Sequence, residues 1–262
     1  MTARLARAAA AFLVFCAALA SAHPSIAQTH PANPPHWGYS GADGPDHWGD
    51  LEPDFAECKS GHRESPIDIV GALPAELAPI HFDYKLSPLR IINNGHTIQI
   101  NYESGSSITV NGTALPLVQF HFHHVSENEI NGQKYDMELH FVHSDAAANR
   151  TAVVAVFIKS GAENALLRDL WSHIPRETGK EVERKKVVIN AADFLPADQN
   201  YYTFDGSLTI PPCKEGVTWY VLKTPIVASP AQIAAFARYY PDNARPLQPA
   251  NGREIRESNF QK

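Results

Sequence analysis

The chain has 262 residues, 44% of them apolar and 19% charged, with a formal net charge of -6. That is an ordinary globular composition with enough apolar residues for a substantial core. The mild acidity gives no basic footprint for nucleic acid and excludes a charge-driven nucleic-acid binder.

The first residues read as a leader rather than as fold. Arg4 and Arg7 give a basic start, Ala8 to Leu19 is an apolar run, and Ala20-Ser21-Ala22 supplies small residues at a cleavage spacing. This predicts a secretory signal peptide over 1–22, with a second cut conceivable after Ala27. The apolar run is shorter than the about 20 residues a membrane span needs. Residues 23–35 are expected to be a flexible mature start, and 36–262 one domain. Cys16 leaves with the leader. Cys58 and Cys213 remain, an even pair in an exported chain, and a disulfide between them is expected.

Residues 30–53 are rich in Pro, Gly, His and Trp and have no clean period. They read as an irregular segment laid over a body and pinned by Trp37, Tyr39 and Trp48. Arg90 to Ile92, His96 to Tyr102 and Ser106 to Val110 are strand candidates between Asn-Gly and Ser-Gly turns. Val118 to Val125 alternates, with Gln119, His121 and His123 on one face and Phe120, Phe122 and His124 on the other. Tyr135 to His143 is a further strand, and Asn131-Gly132 is a hairpin signal between the two.

Thr151 to Ile158 is a continuous apolar run and predicts a buried strand. Ala162 to Ile174 has helical spacing through Leu166, Leu167, Leu170 and Trp171. Val187 and Ile189 suggest a short strand. Strands are expected at Tyr201 to Ile210 and Val217 to Leu222, and a helix at Ala231 to Tyr240, stopped by Pro241. Many short strands and few helices predict one large, mostly β domain.

His121, His123 and His140 form the chemically informative cluster. Residues two apart on a strand share a face, so His121 and His123 point the same way. A simple hairpin at Asn131-Gly132 places His140 opposite His123 and Val142 opposite His121; a bulge shifts this by a residue. Three imidazoles converging from a sheet leave a fourth tetrahedral position open, the arrangement of a catalytic zinc site. Gln119 and Glu138 share the parity of these histidines and suit the role of acceptors for their N–H groups. Glu127 is a separate acidic candidate. His124 and His143 read as structural. His121, His123 and Glu127 also fit the first half of a cupin metal motif, but its proline-glycine and histidine counterpart is not evident.

At this point the chain resembles the alpha class of carbonic anhydrases, and its bacterial exported members in particular. The likeness runs from about His36 to Phe260. It rests on HWGYSGADGPDHWGDL, RESPIDI, NNGHTIQI, QFHFHHVSENEINGQKYDMELHFVH, TAVVAVFIK, GSLTIPPC, VTWYVLK and NARPLQP, in that order. The resemblance implies a single domain, mainly β with peripheral helices, around a large mixed, mostly antiparallel twisted sheet.

It also implies the chemistry: reversible hydration of carbon dioxide to bicarbonate and a proton, by attack of zinc-bound hydroxide with histidine-assisted proton transfer. One Zn(2+) per chain would sit on His121, His123 and His140. Gln119, Glu138 and the backbone carbonyl of Asn243 would order those rings. Thr209 would orient the hydroxide while donating to Glu127, and His96 would carry the proton out. Val142, Val153, Leu208 and Trp219 would form the carbon dioxide pocket, and Tyr39, Asn94 and Gln99 the nearby solvent network. Cys58 and Cys213 match the family's disulfide pair. Three neutral imidazoles leave zinc its positive charge, which lowers the pKa of its water to about 7; these enzymes are themselves the reference case for that shift.

Expected partners are carbon dioxide and bicarbonate, with sulfonamides and small anions as inhibitors. No nucleic acid and no stable membrane association after cleavage are expected, and the setting is periplasmic or secreted. The resemblance allows a homodimer, and no stripe in the sequence fixes one. Two positions depart from many relatives: Ile210 stands where a hydroxyl is common, and Gln99 where asparagine is common.

Overall fold

The computed structural model describes residues 36–260. The expected leader and the segment after it lie outside the described residues. Eight strands carry most of the sheet: β1 (Ser87–Asn93), β2 (Ile98–Asn101), β3 (Thr113–His123), β4 (Met137–Asp145), β5 (Arg150–Ser160), β6 (Glu181–Ile189), β7 (Tyr201–Ser207) and β8 (Glu215–Ala228). They lie in the order β6-β1-β2-β3-β4-β5-β8-β7, and the short strands Arg256–Glu257 and Leu73–Pro74 extend the far edge. β5 and β8 run parallel, as do the two short strands; the other neighbours along this path are antiparallel. The architecture is the single-domain, mixed but mostly antiparallel sheet that the sequence reading expects.

Period two divides the sheet into two faces. Ile100, Phe120, Phe141 and Val154 line up across four strands and are fully buried. They pack in a large apolar cluster with Leu167 and Leu170 of α1 (Ala165–Trp171) and Phe236 of α2 (Pro230–Ala237). The opposite face carries two different rows. Gln99, His121, His140, Ala155 and Val221 form one, and Asn101, Gln119, Val142, Val153 and Trp219 the other. Burying the phenylalanines on one side therefore turns the histidines to the other. β5 lies inside the sheet with both faces covered, which is why its sequence is continuously apolar.

Both helices are shorter than their periodicity suggests. α1 starts after Asn164, whose side chain accepts from Leu166 N and Leu167 N at 3.0 and 3.2 Å. α2 starts after Ser229, with a reciprocal capping box to Gln232 and Pro230 in its first turn. It closes before Pro241, because Tyr239 N and Tyr240 N both donate to Phe236 O.

Two expectations need correction. β6 is longer than the strand suggested by Val187 and Ile189 alone. Val182 is the one apolar residue among its first six and Glu183 to Lys186 are exposed, so the segment lacks an apolar period, and pairing of Glu181 to Arg184 with β1 makes it a strand. The hairpin register also differs. Asn131 and Gly132 have φ of 49° and 74° and do make a turn, bridging Ile130 to Gln133. However, His140 stands opposite His121, not His123, and Val142 stands opposite Gln119. The stretch from His123 to Ile130 is two residues longer than that from Gln133 to Glu138. Glu129–Ile130 also pairs with Asp68–Ile69 instead of continuing β3. A slip of two residues preserves the face, so the histidines still converge; a slip of one would have reversed them.

The N-terminal segment is pinned as expected. Trp37, Tyr39 and Trp48 make mutual edge contacts with centroids 5.2 to 5.7 Å apart. They pack with a Cys58–Cys213 disulfide, which closes a sequence separation of 155. In the chain-entropy account, closing a loop of that length contributes about 5 kcal/mol.

Candidate metal centre

β3 and β4 bring His121, His123 and His140 together. One ring nitrogen from each lies within 4.8 Å of the others. The remaining nitrogens meet protein acceptors. His121 Nδ1 is 2.9 Å from Gln119 Oε1, and His123 Nδ1 is 2.8 Å from the carbonyl of Asn243. His140 Nε2 lies 3.1 Å from Glu138 Oε1, in contact but out of line for a hydrogen bond.

An amide oxygen and a carbonyl can only accept, so they hold His121 and His123 with Nδ1–H donated and the Nε2 lone pair free. Burial lowers the pKa of all three histidines, keeping them neutral at physiological pH. His123 Nε2 is buried and has no hydrogen-bond partner. Neutral imidazoles with converging, uncommitted nitrogens fit zinc with an open position. Glu127 Oε2 lies 3.5 Å from His123 Nε2 and 3.8 Å from His140 Nδ1 but does not complete a converging set with His121, unlike His140.

Glu138 is itself fixed. Its Oε2 accepts from Glu127 N at 2.7 Å and Asn128 N at 2.8 Å, and its Oε1 accepts from Asn128 Nδ2 at 2.8 Å. Glu127 is fully buried beside the cluster. Its Oε1 accepts from Arg245 N at 2.9 Å, and the Thr209 hydroxyl lies close enough to favour its charged form. Burial pushes the Glu127 carboxyl up to about 8 against those contacts. A cation on the neighbouring histidines would act the other way, favouring the carboxylate.

The site has an apolar side and a polar side. Val142, Val153 and Trp219 are consecutive partners across β4, β5 and β8, and Leu208 packs in the same apolar cluster. Trp219 also meets His140 edge-on at 5.0 Å between centroids. On the polar side, Asn94 Nδ2 donates to Gln99 Oε1 at 3.2 Å, and Gln99 stands opposite His121. His96 follows in the same turn. Its ring is half-buried and stacks on Trp37, with centroids 3.7 Å apart and an interplanar angle of 7°. Burial, and then the charge of His36, lower its pKa. Tyr39 is raised well above its ordinary value, by burial first and Glu127 second, so it remains a neutral phenol.

Several supporting residues escape a reading of sequence alone. Asn128 orders Glu138, and Trp37 braces His96. Arg245 is almost fully buried and reaches Glu64 Oε2 at 2.6 Å, Ser65 O at 2.9 Å and Cys58 O at 2.8 Å. It thus ties the backbone that holds Glu127 to the disulfide loop. The arginine inside NARPLQP is the only trace of it in the sequence. His143 is fully buried with Nε2 2.9 Å from Tyr84 Oη, and burial drops its pKa to about 3. His124 lies past the end of β3 and bonds the Pro241 carbonyl at 2.7 Å. Neither histidine belongs to the converging set.

The profile of the eukaryotic-type carbonic anhydrases matches residues 43–259. A carbonic anhydrase of Nostoc sp. is 43% identical over 231 residues, covering 85% of this chain and 86% of its own. One of Neisseria gonorrhoeae is 42% identical over 256 residues, covering 97% of each chain. Among solved structures, the alpha-carbonic anhydrase of Thermovibrio ammonificans with the inhibitor sulfanilamide matches with a TM-score of 0.82 at 42% identity. That match covers 86% of this chain and all 100% of the other.

Proposed function

Because the chain belongs to the eukaryotic-type, or alpha-class, carbonic anhydrase family, we infer that it is a zinc-dependent enzyme for the reversible hydration of carbon dioxide to bicarbonate and a proton. The observation that carries this reading is the convergence of three neutral histidines whose other nitrogens already face protein groups. We propose one Zn(2+) per chain, held by His121, His123 and His140. Bound there, zinc supplies the positive charge that brings the pKa of water to about 7, the shift for which this family is the reference case.

The protein's own groups divide the remaining work. Val142, Val153, Leu208 and Trp219 offer an apolar wall to carbon dioxide, which has no charge to bind by ionic contact. Thr209 donates to Glu127, so its oxygen can only accept from an attacking oxygen nucleophile and thereby sets its direction. Gln119, Glu138 and the Asn243 carbonyl keep the three rings in place and in the right tautomer. Tyr39, Asn94 and Gln99 border the solvent path. Sulfonamides and small anions are the expected inhibitors; a sulfonamide is the ligand of the Thermovibrio relative.

Stripping the metal with a chelator should abolish hydration. Adding zinc back should restore it in proportion to bound metal, up to one per chain. Full hydration by metal-free protein would contradict the assignment.

His96 carries the released proton to solvent. With its pKa lowered by burial, it is neutral at pH 7 and ready to accept. His96→Ala should lower kcat in dilute buffer about 10-fold. Added imidazole should recover much of the loss. An unchanged kcat, with no effect of imidazole, would reject this role.

The Cys58–Cys213 disulfide fits an oxidising compartment. With the leader-like start, it supports a periplasmic or secreted protein of bacterial type, free of the membrane once the leader is removed.

A further inference from the structure

A carboxylate accepts hydrogen bonds and cannot donate them. Glu181, at the start of β6, therefore dictates the direction of any amide bonded to it. Asn101 Nδ2 donates to Glu181 Oε2. Asn101 Oδ1 is then free to accept from Gln99 Nε2, at 2.6 Å. Gln99 Oε1 accepts in turn from Asn94 Nδ2, at 3.2 Å. That leaves Asn94 Oδ1 facing the backbone, where it accepts from the N–H groups of His96 and Thr97, both at 2.9 Å. The other Glu181 oxygen is held by Arg90, through Nε at 2.9 Å and Nη2 at 2.7 Å.

From Glu181 the bonds pass β1 to reach Asn101, then run along β2 through Gln99 to Asn94 in the turn between β1 and β2. Gln99 and Asn101 alternate with the buried Ile98 and Ile100, and stand opposite His121 and Gln119. Glu181 lies three strands from His121 in the sheet order, yet its polarity is passed through three amides to the turn that bears His96. Each neutral amide can sit either way round, and its own shape does not choose. If the chain reverses, Asn94 turns its NH2 toward two backbone N–H groups and loses both bonds.

We propose that Glu181 is a positioning residue for proton transfer: through Asn101, Gln99 and Asn94 it fixes the turn that carries His96. The proposal rests on His96 being the proton carrier. The Arg90–Glu181 pair is partly exposed, so its ion-pair energy is small; its contribution is direction.

The test is Glu181→Ala, alone and combined with His96→Ala, by stopped-flow carbon dioxide hydration in dilute buffer with zinc content measured. Glu181→Ala should lower kcat several-fold and leave kcat/KM and zinc unchanged, and imidazole should restore kcat. In the His96→Ala background it should have no further effect. An equal fall in kcat and kcat/KM would indicate general structural damage and overturn the proposal. So would losses that multiply in the double variant, or a normal kcat for Glu181→Ala when His96→Ala is impaired. If His96→Ala itself keeps full kcat, the proton-carrier assignment fails first and the role of Glu181 fails with it.

Discussion

Val142→Tyr should lower kcat/KM for carbon dioxide hydration about a hundredfold while leaving bound zinc unchanged. Val142 is partly buried between Gln119 on β3 and Val153 on β5, and Trp219 follows in the same row. It lies two residues after His140, so both side chains leave the same face of β4. A phenol ring at this position fills the apolar space directly beside the histidines. Carbon dioxide has no charge through which a polar contact could hold it elsewhere, so the displaced substrate gains nothing in exchange. The three histidines and their acceptors are untouched, and metal analysis should therefore match the parent. Val142→Ala enlarges the space and should cost far less. A normal kcat/KM for the tyrosine variant would place the substrate somewhere other than this wall.

Thr209→Val should also lower kcat/KM about a hundredfold, equivalent to about 2.7 kcal/mol of lost transition-state stabilisation. The substitution keeps volume and removes only the hydroxyl. Glu127 keeps the 2.9 Å bond from Arg245 N, so the carboxyl stays in position. What disappears is the acceptor that orients the attacking oxygen, and with it the geometric advantage of a fixed nucleophile. Zinc should remain, because Thr209 is not among the converging groups. Unchanged hydration with zinc retained would remove Thr209 and Glu127 from the mechanism.

The centre was readable in the sequence because it rests on parity. Gln119, His121 and His123 alternate with phenylalanines, and His140 shares a face with Glu138 and Val142; neither relation depends on the exact hairpin. The register did depend on it. Two additional residues between His123 and Ile130 move His140 opposite His121, and no local turn rule reports a mismatch of that kind.

β6 was only partly legible, since Val182 is the one apolar residue among Glu181 to Lys186, and the strand form of Glu181 to Arg184 comes from pairing with β1. The supporting contacts were least legible. The stack of Trp37 on His96 joins parts of the chain 59 residues apart. Arg245 joins Glu127 to Cys58 across still longer separations. Such contacts leave no periodic trace, because they are set by where loops land on a finished sheet.

Stopped-flow carbon dioxide hydration by the purified protein, with zinc content established beforehand, tests the central claim most directly. The account predicts fast hydration at one zinc per chain, abolished by a zinc-directed sulfonamide. No rate above buffer from folded protein carrying one zinc per chain would contradict it.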